Sequence, residues 1–326
     1  MFRLRWVALV FAVVGLVAGA CGSATRKAAG DRLMVDSTVA PITDIVRQVV
    51  GDRVQLVGLI PEGVDSHTFE PSPATVKSLS KADVLFLDGL HLEGSTLKEA
   101  RANMATGSKI VRLGDETLAP PDYAFDFSFP REKGDPNPHL WMDPVYTKRW
   151  SEIIRDTMSG RDPRNASYYR DNQARFAAAL DRLDGAVHAA IDSIPPANKK
   201  LLTYHDSYAY FSRQYGIEVI AAIQPSDFHE PSPQEVARIV EQVKATHVPA
   251  IFGSEVFPSP VLEQIARETG AQFVDKLRDD ELPGDPSAAN HTYVGLMVED
   301  VQLMTQALGG NPASLAAVPV PKTWLP

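Results

Sequence analysis

The chain has 326 residues, of which 44% are hydrophobic and 22% are charged. This length exceeds what one hydrophobic core usually organises, so we expect two lobes, and the ordinary composition excludes collagen, coiled coils and wholesale disorder. A formal net charge of -9 provides no basic field that would attract phosphates, which argues against a nucleic-acid partner.

The N-terminal segment has the pattern of an export signal. Arg3 and Arg5 precede an uncharged run from Trp6 to Ala20, as in the n-region and h-region of a secretory signal. The run is too short for an ordinary membrane span and polar residues follow it, so a permanent transmembrane helix is the weaker interpretation. We predict that residues 1–20 are a signal peptide and that the protein is exported.

Cys21 is the only cysteine of the chain, so it cannot close an internal disulfide. It directly follows the small residues Ala18, Gly19 and Ala20, an arrangement that resembles a bacterial lipobox. The departure is Ala18, where lipoboxes usually carry Leu or Val. We predict that Cys21 is a lipid anchor and that residues 21–31 form a spacer between the membrane and the folded part. The alternative is a plain signal peptide with a leftover thiol.

Short β-rich apolar runs alternate with helical patterns in both halves of the mature chain. In the first half the predicted strands and helices are, in chain order, Leu33 to Val39, Ile42 to Val50, Val54 to Ile60, Pro73 to Leu79 and Val84 to Leu87. In the second half the predicted strands are Lys200 to Thr203, Glu218 to Ile223, Ala250 to Phe252 and Gln272 to Val274. This alternation predicts an α/β fold in which mostly parallel sheets are flanked by helices.

The sequence Glu-Pro-Ser-Pro occurs at residues 70–73 and again at residues 230–233. Each copy precedes a helical pattern and then an apolar strand. The matching order of elements favours a duplicated lobe over a chance match, so we predict two related lobes.

The longest helical pattern lies between the two halves, from about Ala166 to Ile194. Its apolar residues keep one face of the helix continuous, and Pro195 and Pro196 end it. A helix of this length between two lobes is a stiff connector, so the lobes should rock only by small angles. The predicted divisions of the mature chain are an N-terminal lobe at residues 32–162, a connector helix at 163–195 and a C-terminal lobe at 196–326.

Four scattered side chains are candidate metal ligands because of where they fall relative to the strands. Ligands of open parallel sheets bind beyond the carboxyl ends of the strands. His67 follows the second predicted strand, and His205 and Asp275 directly follow strands of the second half. His139 lies in a segment bounded by prolines, next to Trp141, which can shield a site from water.

Three neutral imidazoles and one carboxylate form a four-ligand set of the kind that zinc favours. We therefore predict a metal site formed by His67, His139, His205 and Asp275. Glu255, which follows the strand that ends at Phe252, is the candidate carboxylate for orienting a ligating imidazole.

Six short segments of the mature chain, several of which contain the candidate ligands, carry a family resemblance. They are Thr38 to Ile42, Asp65 to Pro73, Gly89 to Gly94, Asn137 to Pro144, Tyr204 to Ser207 and Thr292 to Met297. In sequence and order they resemble the TroA-like solute-binding lipoproteins of zinc and manganese ABC transporters. The resemblance covers nearly the whole mature chain. It implies two α/β lobes joined by one rigid helix, with a single metal ion held by His67 and His139 from the first lobe and by His205 and Asp275 from the second.

The resemblance also implies a function. The protein would be a monomeric extracytoplasmic receptor, lipid-anchored to the outer face of the cytoplasmic membrane or periplasmic, that captures Zn(II) and delivers it to the permease of an ABC-type importer. Manganese-selective members of the family tend to carry Glu at the position of His205, so His205 favours zinc. Many zinc members have a His-rich loop, whereas residues 115–138 contain no histidine, which leaves Mn(II) open.

Two other functions are compatible with such a site. A zinc hydrolase needs an open coordination position and a general base, but Asp275 would close the shell and no base is evident, so we expect no enzyme. A surface adhesin, in which the metal only stabilises the fold, is not excluded by the sequence.

Overall fold

The computed structural model describes residues 32–224, 229–254 and 260–321. The predicted signal peptide, the spacer with Cys21, and Glu255 lie outside these ranges. Two four-stranded sheets are present in the described residues. Their strands are β1 (Leu33–Ser37), β2 (Val54–Gly58), β3 (Val84–Leu87) and β4 (Lys109–Arg112) in the first, and β5 (Lys200–Thr203), β6 (Glu218–Ala222), β7 (Ala250–Ser254) and β8 (Gln272–Leu277) in the second.

The two sheets share one topology. The strand order is β2-β1-β3-β4 in the first sheet and β6-β5-β7-β8 in the second, and every pairing is parallel. The central strand β3 is buried along its whole length because helices cover both faces of the sheet. The prediction of two related α/β lobes is confirmed.

The helices alternate with the strands. They are α1 (Ala40–Val50), α2 (Pro73–Leu79), α3 (Gly94–Asn103), α4 (Pro144–Arg161), α5 (Ala166–Asp192), α6 (Ala209–Tyr215), α7 (Pro233–Thr246), α8 (Pro260–Thr269) and α9 (Tyr293–Ala307). The repeated Glu-Pro-Ser-Pro segment begins α2 and α7 in the same way, because Ser72 and Ser232 each accept a hydrogen bond from a backbone N–H of the first turn.

The connector helix α5 lies between the two sheets in the chain. Its 27 residues span about 40 Å at about 1.5 Å per residue. It packs against α1 and α4, which precede it in the sequence, and against α6 and α9, which follow it. We call the part of the chain before α5 the first lobe and the part after it the second lobe.

One predicted boundary differs from the structure in a way that affects the site. The sequence predicts that the last strand ends at Val274, whereas β8 continues to Leu277. β8 is an edge strand, and its exposed Asp275 interrupts the apolar pattern without ending the strand. The carboxyl end of β8 therefore lies next to Arg278 and Asp279. None of the helices described is long and apolar enough to cross a membrane.

Candidate metal centre

Three imidazoles from separate parts of the chain converge at the carboxyl ends of the strands. His67 lies in the loop that follows β2, His139 precedes a short 3-10 turn ahead of α4, and His205 follows β5. The ligand atoms of the three residues all lie within 4.8 Å of one another. His139 Nε2 is 3.3 Å from His67 Nε2 and 2.8 Å from His205 Nε2. The structure thus brings together the three histidines that the sequence singled out.

The separations are of the size that one small metal ion requires. Two nitrogens that each lie about 2.05 Å from a tetrahedrally coordinated zinc ion are about 3.3 Å apart. The distance between His67 Nε2 and His139 Nε2 has this value. The group can therefore hold a single ion with only small movements of the rings.

Amide side chains fix the orientation of two of the rings. His139 Nδ1 lies 2.8 Å from Asn137 Oδ1, and His205 Nδ1 lies 2.6 Å from Gln224 Oε1. An amide oxygen only accepts hydrogen bonds, so each Nδ1 donates, and in a neutral ring each Nε2 then carries a lone pair. Both lone pairs face the centre of the cluster, which is the arrangement that a metal ligand needs.

Aromatic side chains pack against the cluster. The ring of Phe129 lies 5.5 Å from that of His67 and 5.8 Å from that of His139. The Trp141 ring lies 5.0 Å from His139 on another side. His139 and His205 are buried, and His67 is partly exposed.

Burial and charge set the protonation of the three rings. Burial, followed by the nearby His205, lowers the pKa of His67 well below its usual value. The pKa of His139 is lowered well below its usual value by burial, then by its two neighbouring histidines. For His205, burial opposes protonation, but the carboxylates of Asp279, Asp280 and Asp65 outweigh it and raise the pKa. The site therefore combines two imidazoles that favour the neutral form, those of His67 and His139, with an acidic side beside His205 that attracts a cation.

The acidic side consists of Asp279 and Asp280, which closely follow the end of β8 and are both buried. Asp279 Oδ2 lies 3.7 Å from His205 Nε2. Asp280 Oδ2 accepts a hydrogen bond of 3.1 Å from the backbone N–H of Ser66, next to His67. Burial and then Asp279 raise the pKa of Asp280 to about 7.

Asp275, the carboxylate that the sequence placed in the site, is not brought into this group. Its side chain is exposed within β8, and the described residues whose ligand atoms cluster are the three histidines alone. The strand continues past it, so the sheet edge where ligands gather lies farther along the chain. Asp279 and Asp280 form an acidic pair in the loop directly after the observed end of β8. Because the sequence pattern predicts that this strand ends at Val274, it does not show that the pair follows the strand end.

A separate cavity of about 660 Å³ lies away from the histidine cluster. Residues of α1 and β2 line it, together with Leu282 and His291, and none of the three clustered histidines does.

Known proteins are similar to this chain over most of its length. Residues 35–307 match the model of the ZnuA family, described as the zinc-uptake complex component A, periplasmic. The manganese ABC transporter substrate-binding lipoprotein PsaA of Streptococcus mitis is 26% identical over 308 residues, which are 92% of this chain and 96% of the relative. The iron ABC transporter substrate-binding lipoprotein MtsA of Streptococcus pyogenes serotype M1 is 25% identical over 318 residues, 94% of this chain and 98% of the relative.

Solved structures share the fold. The periplasmic zinc binding protein TroA from Treponema pallidum superposes with a TM-score of 0.77 and 26% sequence identity, covering 86% of this chain and 99% of that one. A manganese-bound periplasmic metal binding protein from Candidatus Liberibacter asiaticus has a TM-score of 0.74 at 23% identity, covering 85% of this chain and 100% of that one. The metals in the names of these relatives and structures are zinc, manganese and iron.

Proposed function

Because the chain belongs to the ZnuA family and is a substrate-binding receptor of a metal ABC transporter rather than an enzyme, we propose that its cargo is Zn(II). In this proposal one ion is captured between the two lobes and delivered to the permease of an importer. The observation that carries the proposal is the convergence of three imidazoles, with two of the Nε2 lone pairs fixed toward one point by amide groups.

We propose His67, His139 and His205 as three of the ligands, with a carboxylate of the Asp279–Asp280 pair in place of Asp275 as the fourth. Both carboxylates lie beside the cluster, whereas Asp275 is exposed in β8. A carboxylate reduces the charge of the bound divalent ion, which lowers the cost of burying it.

The donor set supports zinc over manganese. Imidazole nitrogen suits zinc, whereas manganese prefers carboxylate, carbonyl and water oxygens. The relatives carry manganese, iron and zinc in their names, so relationship alone does not choose the metal. Mn(II) is the alternative cargo, and the pair of carboxylates near His205 is the feature that favours it.

The location and the partner follow from the same family. Relatives named as lipoproteins of ABC transporters support a receptor that works outside the cytoplasm and hands its ion to a membrane permease. Cys21 is the residue that we propose as the lipid anchor, since it follows the signal-like segment directly.

Equilibrium competition between Zn(II) and Mn(II) tests the choice of metal. We expect the purified chain, produced without a metal-binding tag, to hold one zinc ion and to prefer zinc over manganese. In His205→Glu the ratio of zinc affinity to manganese affinity should become smaller, because an oxygen ligand replaces a nitrogen ligand. His188→Gln on α5 is the matched control and should keep the preference of the parent. An unchanged preference in His205→Glu would mean that His205 is not a ligand, and a parent that binds neither metal would overturn the proposed function.

A further inference from the structure

Ser128 lies in the segment between β4 and α4 and makes two hydrogen bonds from the first lobe to the second. Its backbone N–H donates to Asp206 Oδ2 at 2.8 Å, and its hydroxyl donates to the backbone carbonyl of Gln224 at 2.6 Å. Ser128, Asp206 and Gln224 are all buried. Buried hydrogen bonds are costly to break when the groups left behind cannot reach water. Ser128 therefore fastens the two lobes beside the histidine cluster.

Gln224 receives this bond and also orients a proposed ligand. Its side-chain oxygen accepts the Nδ1–H of His205 at 2.6 Å. Its backbone N–H donates to the carbonyl of Tyr204 at 3.0 Å, immediately before His205. A displacement of the Gln224 backbone would thus be passed to the His205 ring through two short connections.

Asn137 makes the reciprocal connection from the first lobe. Its Oδ1 accepts the Nδ1–H of His139, and its Nδ2 donates to the carbonyl of Asp206 at 2.7 Å. Each lobe thus contributes an amide residue that holds one imidazole of its own lobe and bonds to the other lobe. The orientation of the ligands and the contact between the lobes depend on the same residues.

We infer that Ser128 is a positioning residue that couples closure of the lobes to retention of the metal. Its hydroxyl holds Gln224, and Gln224 holds His205 with Nε2 toward the ion. The next residue, Phe129, packs against the rings of His67 and His139, so the same segment also contacts two of the proposed ligands. Loss of the Ser128 hydroxyl frees this segment to move and speeds metal release while the ligands remain the same. The inference rests on the proposed function and adds a determinant of the release rate.

Metal release from Ser128→Ala in the full chain tests the coupling. Zn(II) loss is followed by stopped-flow mixing with a chromogenic chelator, and the Co(II)-substituted protein reports the ligand set through its visible d–d absorption. We expect Ser128→Ala to release zinc roughly 5- to 30-fold faster than the parent, the range for one buried hydrogen bond, with an unchanged Co(II) spectrum. A purely structural role would lower stability without this selective effect on the release rate.

Two further variants complete the experiment. Ser108→Ala removes a similar hydroxyl, which donates to the carbonyl of Ala82 at 2.7 Å away from the site, and should release zinc within twofold of the parent. Ser128→Thr keeps the hydroxyl and should release zinc more slowly than Ser128→Ala. The inference is overturned if Ser128→Ala binds Co(II) normally but releases zinc at the parental rate, or if Ser108→Ala is accelerated equally. A parent that binds neither Co(II) nor Zn(II) would overturn the proposed function itself.

Discussion

His139 Nε2 and His205 Nε2 lie 2.8 Å apart, although the two residues belong to different lobes. The Nδ1 of each ring donates to an amide oxygen, so in the neutral rings two lone pairs face each other at this distance. Two acceptors held this close repel each other unless a cation lies between them. The raised pKa of His205 lets a proton take this place in the metal-free protein, and a metal ion would take it in the loaded protein, so the arrangement is favourable only when a positive charge lies between the two nitrogens.

The metal should stabilise the parent, and most of this effect should be lost in His139→Gln. At a zinc concentration of a thousand times Kd, binding adds about 4 kcal/mol to the free energy of unfolding. His139→Gln removes a central imidazole and should weaken zinc binding by roughly 100-fold or more, beyond the loss typical of an outer-shell partner. Thermal unfolding with and without zinc checks this. The control, His188→Gln, should retain the full zinc-induced rise in Tm; an equal rise in His139→Gln would contradict its role.

The carboxylates should differ sharply in their effect on metal binding. Asp275→Asn should leave zinc affinity within twofold of the parent, because the Asp275 side chain is exposed in β8. Asp279 and Asp280 lie beside the cluster. At least one of the substitutions Asp279→Asn and Asp280→Asn should therefore weaken zinc binding by more than 10-fold. Isothermal titration of the three variants measures this. A large loss in Asp275→Asn alone would identify Asp275 as the carboxylate ligand, as the sequence predicts.

The sequence predicts the fold and the three histidines better than it predicts the carboxylates. Alternating strands and helices are local patterns, and His67 and His205 follow strand ends that are visible as apolar runs. The end of β8 is hidden, because this edge strand carries the exposed Asp275 directly after the buried Val274 and so has no continuous apolar run. The link between Ser128 and Gln224 joins positions 96 residues apart, and no local pattern encodes such a pairing.

Asn137→Ala should weaken zinc binding without removing a ligand. Asn137 Oδ1 is the acceptor that keeps the proton of His139 on Nδ1, so its loss frees the ring to rotate or to change tautomer. Removal of such a partner typically lowers metal affinity 10- to 100-fold. Competition with a chelator of known affinity measures the change. Asn103→Ala, at the last residue of α3, is the control; equal affinities in Asn137→Ala and the parent would show that the ring needs no partner.

Asp36 should make the stability of the metal-free protein depend on pH. This β1 residue is fully buried, and burial raises its pKa from 3.8 to about 6 against the opposing effect of a hydrogen bond from Ser78. The raised pKa means that the fold favours the protonated carboxyl. Its stabilising contribution is present below about pH 4 and is lost as the pH rises through 6, a change of about 2–3 kcal/mol.

Asp36→Asn should remove this dependence, because the amide imitates the neutral acid at every pH. The free energy of unfolding of the variant minus that of the parent should increase between pH 4 and pH 7. Urea denaturation of both proteins at several pH values, with chelator present, measures the difference. A difference that stays constant across this range would show that Asp36 does not titrate there.

Gly185→Ala should stabilise the connector helix without affecting the metal site. Gly185 lies on the exposed side of α5, and a Cβ added there meets no heavy atom within 4 Å. Alanine in the interior of a helix is more favourable than glycine by about 0.5–1 kcal/mol, because glycine loses more backbone entropy on folding. Urea denaturation should show this gain, while zinc affinity and the zinc release rate stay at the parental values. If the release rate fell together with the rise in stability, bending of α5 would be part of the release step, and a rigid connector between the lobes would no longer describe the protein.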